Sequence, residues 1–165
     1  MKGASLVIGC LEGQSMWKKI RGLVRKRPKI ADAYRDPNSG LCVEEYFRMT
    51  LHLEEMRSER SGKPFLLMRL HIGELDDPVV REVATVVLSL TREVDLNGWW
   101  RTGREIAILF TEVNAQRRGE FMAAEKVITD KIKKGLRRRL GITTADRIRI
   151  SCTLLPESKE SVAQR

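Results

Sequence analysis

Hydrophobic and polar positions become regular only from about residue 36. Asp36-Pro37-Asn38-Ser39-Gly40 concentrates turn formers, because Pro fixes φ and Gly admits a left-handed backbone. Behind it, Tyr46, Phe47, Thr50, Leu51, Leu53 and Met56 recur at helical spacing. They predict a helix over 43–61 with these residues as its apolar side, stopped by Gly62-Lys63-Pro64. Phe65 to Ile72 is a mostly apolar run of strand length, suited to a central strand with helices packed over one face. Asp76-Asp77-Pro78 starts a second helix, carried on Val79, Val80, Val83, Val87 and Leu90 to about Glu93. Its valines lower intrinsic helicity, but spacing and length favour helix over strand.

The stretch from Asn97 to Phe110 reads as two strands around a tight turn at Thr102-Gly103-Arg104. A long helix from about Arg118 to Leu140 follows, with Met122, Ala124, Val127, Ile128, Ile132, Leu136 and Leu140 as its stripe and Gly141 as its stop. Arg147 to Leu154 alternates basic and apolar residues, as a strand with one wet face does. Without the leading helix the order is β-α-β-β-α-β, which predicts an α+β, ferredoxin-like domain over 36–155 with helices on one side of an antiparallel sheet. That superfold hosts nucleotide cyclases, RNA-binding modules, metal carriers and regulatory domains alike, so the order of elements names no function.

Composition narrows the field. The 165 residues, 18.9 kDa, suffice for one domain and a short extra segment but not for two enzymatic domains. Apolar residues make up 42% and charged ones 32%, enough to bury a core, and the net charge of +9 favours anionic partners. The charge is densest in residues 1–35, where Trp17 to Lys29 holds seven basic residues in thirteen. Trp17, Ile20 and Val24 give this stretch the spacing of a short basic amphipathic helix, which docks on anionic lipid or nucleic acid, or else is a solvated linker. Pro156 to Arg165 reads as a polar tail. No apolar run reaches membrane-spanning length, and Glu12 stands where a signal-peptide cleavage site would need small residues, so the expected location is cytoplasmic. Cys10, Cys42 and Cys152 lack metal-ligand spacing and read as reduced thiols, so no metal is expected from them.

Specific residues resemble a family. Asp36-Pro37-Asn38-Ser39-Gly40-Leu41 with Glu44-Glu45-Tyr46-Phe47 is similar to the D-x-L-T-G-L-x-N-R-x-x-F opening of GGDEF domains, the bacterial diguanylate cyclases. Phe65 to His71 sits where that family has an apolar strand ending in D-x-D, and Thr102-Gly103-Arg104-Glu105 sits where it has its hairpin signature. The likeness spans about residues 36 to 155. It implies two carboxylates holding Mg²⁺ on the triphosphate of GTP, because a hard cation takes oxygen ligands. Arg69 and Arg104 stand at those two positions. A guanidinium stays protonated and ligates no metal. Glu105 is the one acid of the signature retained, and the family's guanine-reading loop is shortened to Ile72–Leu75. The resemblance is therefore to a degenerate GGDEF domain with no catalytic residues and no cofactor. Mg²⁺ enters only under the alternative of an active cyclase with unusual ligands.

Many GGDEF domains also carry R-x-x-D ahead of the signature, where cyclic di-GMP binds, and Arg92-Glu93-Val94-Asp95 has that form. Arg suits a guanine Hoogsteen edge or a phosphate, while Asp accepts from guanine N1 and N2. Six residues separate Asp95 from Thr102, one more than is usual in the family, and a bulge would absorb it. An ordinary helix-end charge pair accounts for the motif equally well. The implied partners are cyclic di-GMP or another anionic nucleotide, and a protein partner or a second copy of the chain. Arg69 and Arg104 either receive an anion or sit on the wet edge of a silent site. Adjacent Trp99 and Trp100 point to opposite sides of a strand, one into the core and one outward. Lys131, Lys133, Lys134, Arg137, Arg138 and Arg139, with Arg147 and Arg149, form either a solvated face or an anion-attracting one. Nucleic-acid binding is a further alternative, disfavoured because neither central strand carries the aromatic motif of RNA-binding sheets.

Overall fold

Alternation along Phe65–His71 decides how the sheet is covered. A computed structural model describes residues 32–113 and 118–156; the basic stretch 17–29, Cys10 and the tail beyond Pro156 lie outside them. After a turn of 3-10 helix at Asp32–Tyr34 come α1 (Glu44–Ser61), β1 (Phe65–His71), α2 (Asp77–Leu90), β2 (Leu96–Arg101), β3 (Glu105–Phe110), α3 (Arg118–Leu140), the short α4 (Ile142–Ala145) and β4 (Arg149–Leu155). The strands form one antiparallel sheet in the order β2-β3-β1-β4. Leu66, Met68 and Leu70 of β1 join Ile106 and Ile108 of β3 and Trp99 of β2 under α2 and α3, where Val83, Val87, Ile132 and Leu136 complete the larger core. Phe65 and Leu67 face the other way, with Ala107, Leu109 and Leu96, against Phe47 and Leu51 of α1.

Helices therefore cover both faces. The βαββαβ unit keeps α2 and α3 on one side as expected, and α1 closes the opposite side over a second, smaller core. The alternation of two outward directions along β1, both apolar, requires this arrangement.

Two apolar stripes differ from the expectation. On α1 the buried positions are Phe47, Leu51, Glu54 and Ser58, while Leu53 and Met56 are exposed. Ser58 tolerates burial because its hydroxyl donates to the Lys63 carbonyl at 2.6 Å, and Glu54 accepts from Arg57 at 2.7 Å. On α3, Phe121, Ile132 and Leu136 are buried while Met122 and Val127 are exposed. Both helices carry apolar residues on more than one face, so spacing alone does not select which face goes inside.

Two glycines fix close approaches. A Cβ on Gly98 of β2 would stand 2.5 Å from Phe47 Cδ2, and one on Gly135 of α3 would stand 2.5 Å from Leu90 Cδ1. Gly98 thus lets α1 lie directly on β2, and Gly135 lets α3 cross close to α2. Gly141 ends α3 at φ +79°, as expected, with its amide donating to Arg137 O at 3.0 Å. Cys42 is buried and Cys152 half-buried, both free, and burial pushes each thiol up to about 11.

Candidate functional site

The two ends of β2 hold the two candidate regions, and each is built on a carboxylate capping a backbone amide. At the first end, α2 closes with Thr91 N–H donating to Val87 O at 3.1 Å. The chain then turns through Arg92–Asp95, where the Arg92 amide donates to Asp95 Oδ2 at 2.8 Å and the Asp95 amide donates to Arg92 O at 3.0 Å. This turn presents Arg92 outward: the residue is exposed, and its guanidinium makes no ion pair among the described residues. Beside it opens a cavity of about 450 Å³ between the end of α2 and the first half of α3. Arg92, Asp95, Glu112 and Lys131 supply its charged groups, and Phe110, Val127 and Ile128 are among its apolar walls. Lys131 is positioned by donating to Leu90 O at 2.7 Å, across the α2–α3 crossing.

Between Asp95 and Thr102 the β2–β3 ladder is irregular, with a register shift between Trp99 and Arg101. The bulge leaves Trp100 facing α1, while Trp99 points into the larger core. Trp99 Nε1 donates to Asp36 Oδ2 at 3.0 Å. Burial alone raises the Asp36 carboxyl, but hydrogen bonds from Ser39, Trp99 and the amides of Asn38 and Ser39 outweigh it and hold the group below the ordinary carboxylate range. The opening turn is thereby tied to β2, reinforced by Cys42 N–H donating to Asn97 O and Trp99 N–H to Cys42 O, both at 2.9 Å.

At the far end of β2, the turn Thr102-Gly103-Arg104 is clasped by α1. Glu44 Oε2 accepts from the Thr102 amide at 3.1 Å and from its hydroxyl at 3.3 Å, and Glu44 Oε1 accepts from Arg48 at 2.9 Å. The hydrogen bonds from Arg48 and from the Thr102 amide hold the Glu44 carboxyl below its usual value. Arg48 also donates to Trp100 O at 2.8 Å. The indole of Trp100 carries two guanidinium groups, Arg48 at 4.8 Å and Arg69 at 5.2 Å from the ring centroid.

Arg69 Nη1 lies 3.7 Å from Glu105 Oε1, so this carboxylate faces a cation. Arg104 is exposed and reaches Glu74 at 3.6 Å. Arg69 and Arg104, the positions for which the resemblance implies Mg²⁺, carry guanidinium groups, which do not suit that ion. Among the described residues no group of three or more His, Cys, Asp or Glu side chains could hold a metal. Local pattern does not single out Arg48, and Asp36 and Glu44 enter only as parts of the opening turn and the family-like stretch; each reaches a partner on or beside β2, roughly 50–60 residues along the chain.

Charge is segregated. Residues 32–113 carry ten Lys and Arg against fifteen Asp and Glu, whereas residues 118–156 carry ten against four. Within the basic part Arg137 is paired with Asp146 at 2.9 Å and Arg139 with Glu82, while Lys133 and Arg149 flank a shallow groove with Arg137. No described helix is long and apolar enough to cross a membrane.

No protein-family model matches the chain, and no curated protein matches it in sequence. Solved structures do match. Diguanylate cyclase SiaD from Pseudomonas aeruginosa, in complex with its activator SiaC, aligns with TM-score 0.55 at 21% identity over 92% of this chain. This chain spans 60% of the length of that SiaD chain. The GGDEF domain of DgcB from Caulobacter crescentus, in complex with c-di-GMP, aligns with TM-score 0.56 at 19% identity, covering 82% of this chain and 86% of that one. The GGDEF domain of TpbB (YfiN) from Pseudomonas aeruginosa aligns with TM-score 0.57 at 18% identity, covering 74% and 76%. The chain has the α+β fold of a GGDEF domain.

Proposed function

We propose that this GGDEF-like domain works by binding and not by catalysis, with cyclic di-GMP as its ligand at the Arg92–Asp95 turn. The observation that carries the reading is that both residues of the R-x-x-D motif line one cavity of about 450 Å³. That volume lies within the ~300–1,000 Å³ range of small-molecule sites. The groups suit a guanine nucleotide: Arg92 offers a planar fork for a Hoogsteen edge or phosphate, Asp95 a carboxylate acceptor, and Lys131 a second cation near an apolar wall. DgcB, which shares the fold, is complexed with c-di-GMP.

Catalytic silence is supported at the opposite end of β2. Arg69 and Arg104 place positive charge where phosphoryl transfer needs metal-binding carboxylates, and Glu105 is engaged by Arg69. Calorimetric titration with cyclic di-GMP tests the binding half: heat of binding is expected with the intact protein and none with Arg92→Ala, and no heat with the intact protein overturns it. Incubation with GTP and Mg²⁺ tests the other half, with no cyclic dinucleotide expected by chromatography.

A further inference from the structure

The outward face of α1 carries apolar surface that no other described element covers. Met49, Leu53 and Met56 recur at i, i+4 and i+7 and are 53%, 51% and 44% exposed, so they form one stripe on the side turned away from the sheet. Tyr34, also exposed, stacks on Tyr46 at 4.7 Å between centroids and widens the stripe near its start. Singly exposed apolar residues are ordinary, but three in a row on one helix face form a contiguous patch.

The charges at the two ends of the stripe say what covers it. Glu45 lies on the same face one turn before Met49, and Arg60 one turn after Met56. Both are exposed, and neither forms an ion pair among the described residues; Arg60 makes only a backbone hydrogen bond to Met56 O. The face thus reads acid, Met, Leu, Met, base. The order is self-complementary under reversal: a two-fold axis passing between His52 and Leu53 sets Glu45 against the partner's Arg60, Met49 against the partner's Met56, and the two copies of Leu53 beside each other at the centre. Closed two-fold contacts require such self-matching, and a face that binds an unrelated protein has no reason to show it.

We propose that α1 is the contact surface of a two-fold symmetric dimer, in which the outward faces of two antiparallel copies pack along their length, roughly 27 Å for eighteen residues. The centre, Leu53 with the exposed His52 of each copy beside it, is flanked by two equivalent Glu45–Arg60 ion pairs that fix direction and register. The surface lies on the opposite side of the sheet from the Arg92–Asp95 cavity, so the dimer stands or falls independently of the nucleotide reading.

Sedimentation velocity on the full chain across a concentration series tests it. A reversible dimer is expected for the intact protein and a monomer for Leu53→Asp. Glu45→Arg alone, like Arg60→Glu alone, sets like charges opposite each other and is expected to raise the dimer Kd roughly tenfold, with the double exchange Glu45→Arg/Arg60→Glu recovering most of the loss. Because these side chains are exposed, circular dichroism should show every variant folded. The charge exchange decides the matter even if Leu53→Asp perturbs the helix. A monomer at all concentrations overturns the proposal, whether the face takes another protein or the chain's own basic stretch 17–29. So does a dimer that ignores the charge reversals.

Discussion

The start and the end of β2 use the same local device to opposite effect. At the start, Asp95 accepts from the amide of Arg92, three residues away, and this short-range cap leaves the Arg92 side chain outside, next to a cavity. At the end, Glu44 accepts from the amide of Thr102, fifty-eight residues away, and the arginines around it turn onto Trp100 and Glu105. A cap within one turn holds that turn without fastening it to a distant element. A cap from a distant helix fastens two elements together and fills the space between them, so one end of the strand keeps room for a ligand and the other does not.

The strongest way to break this contrast is to remove the helix that clasps the far end. Phe47→Ala empties a fully buried site between α1 and Gly98 and is expected to cost about 3–5 kcal/mol in denaturant unfolding. A loss below about 1 kcal/mol would show that the hairpin stands without α1. Gly135→Ala acts on the cavity end by forcing α3 away from Leu90, and about 1–3 kcal/mol of destabilisation is expected, with weaker nucleotide binding because Leu90 lines the cavity. Unchanged stability would mean that α2 and α3 shift apart freely. Trp100→Ala removes the surface on which Arg48 and Arg69 rest; about 1 kcal/mol is expected by thermal unfolding, and titration heat at the Arg92 end should not change.

The smallest effect is electrostatic. Asp36 and Glu44 both titrate below their ordinary carboxyl values in the folded chain. Each therefore adds stability that is fully present above the unfolded value, near ~4, and is lost as pH falls below it. Urea midpoints should drop more steeply below about pH 4 for the intact protein than for Glu44→Gln. Parallel curves would remove the Thr102 clasp from the account.

The strands, helices and hairpin were legible because each has a local cause: an apolar run in Phe65–Leu70, glycine at 62, 103 and 141, Pro78 at a helix start. The pair Trp99 and Trp100 was legible as facing opposite sides of the strand for the same reason, but not that α1 covers the Trp100 side. What pattern did not yield was direction. Leu53 and Met56 have the spacing of a core stripe, yet Glu54 and Ser58 go inward because their polar atoms find partners at Arg57 and Lys63. Nor did pattern reveal what opposes a residue across the fold: the signature acid Glu105 is legible in the chain, but its neighbour Arg69 is a matter of register between β1 and β3.

The uneven placement of charge makes the domain an electric dipole. Its acidic residues gather on α1 and the start of α2, on 32–113, while the C-terminal half of α3 and the start of β4 are basic. The net charge of the whole chain conceals this, since within the described residues the two segments largely cancel. A polyanion drawn in by the chain's net charge is therefore oriented at close range, meeting α3 and β4 with α1 turned away. At physiological salt that orientation sets in only within about 8 Å.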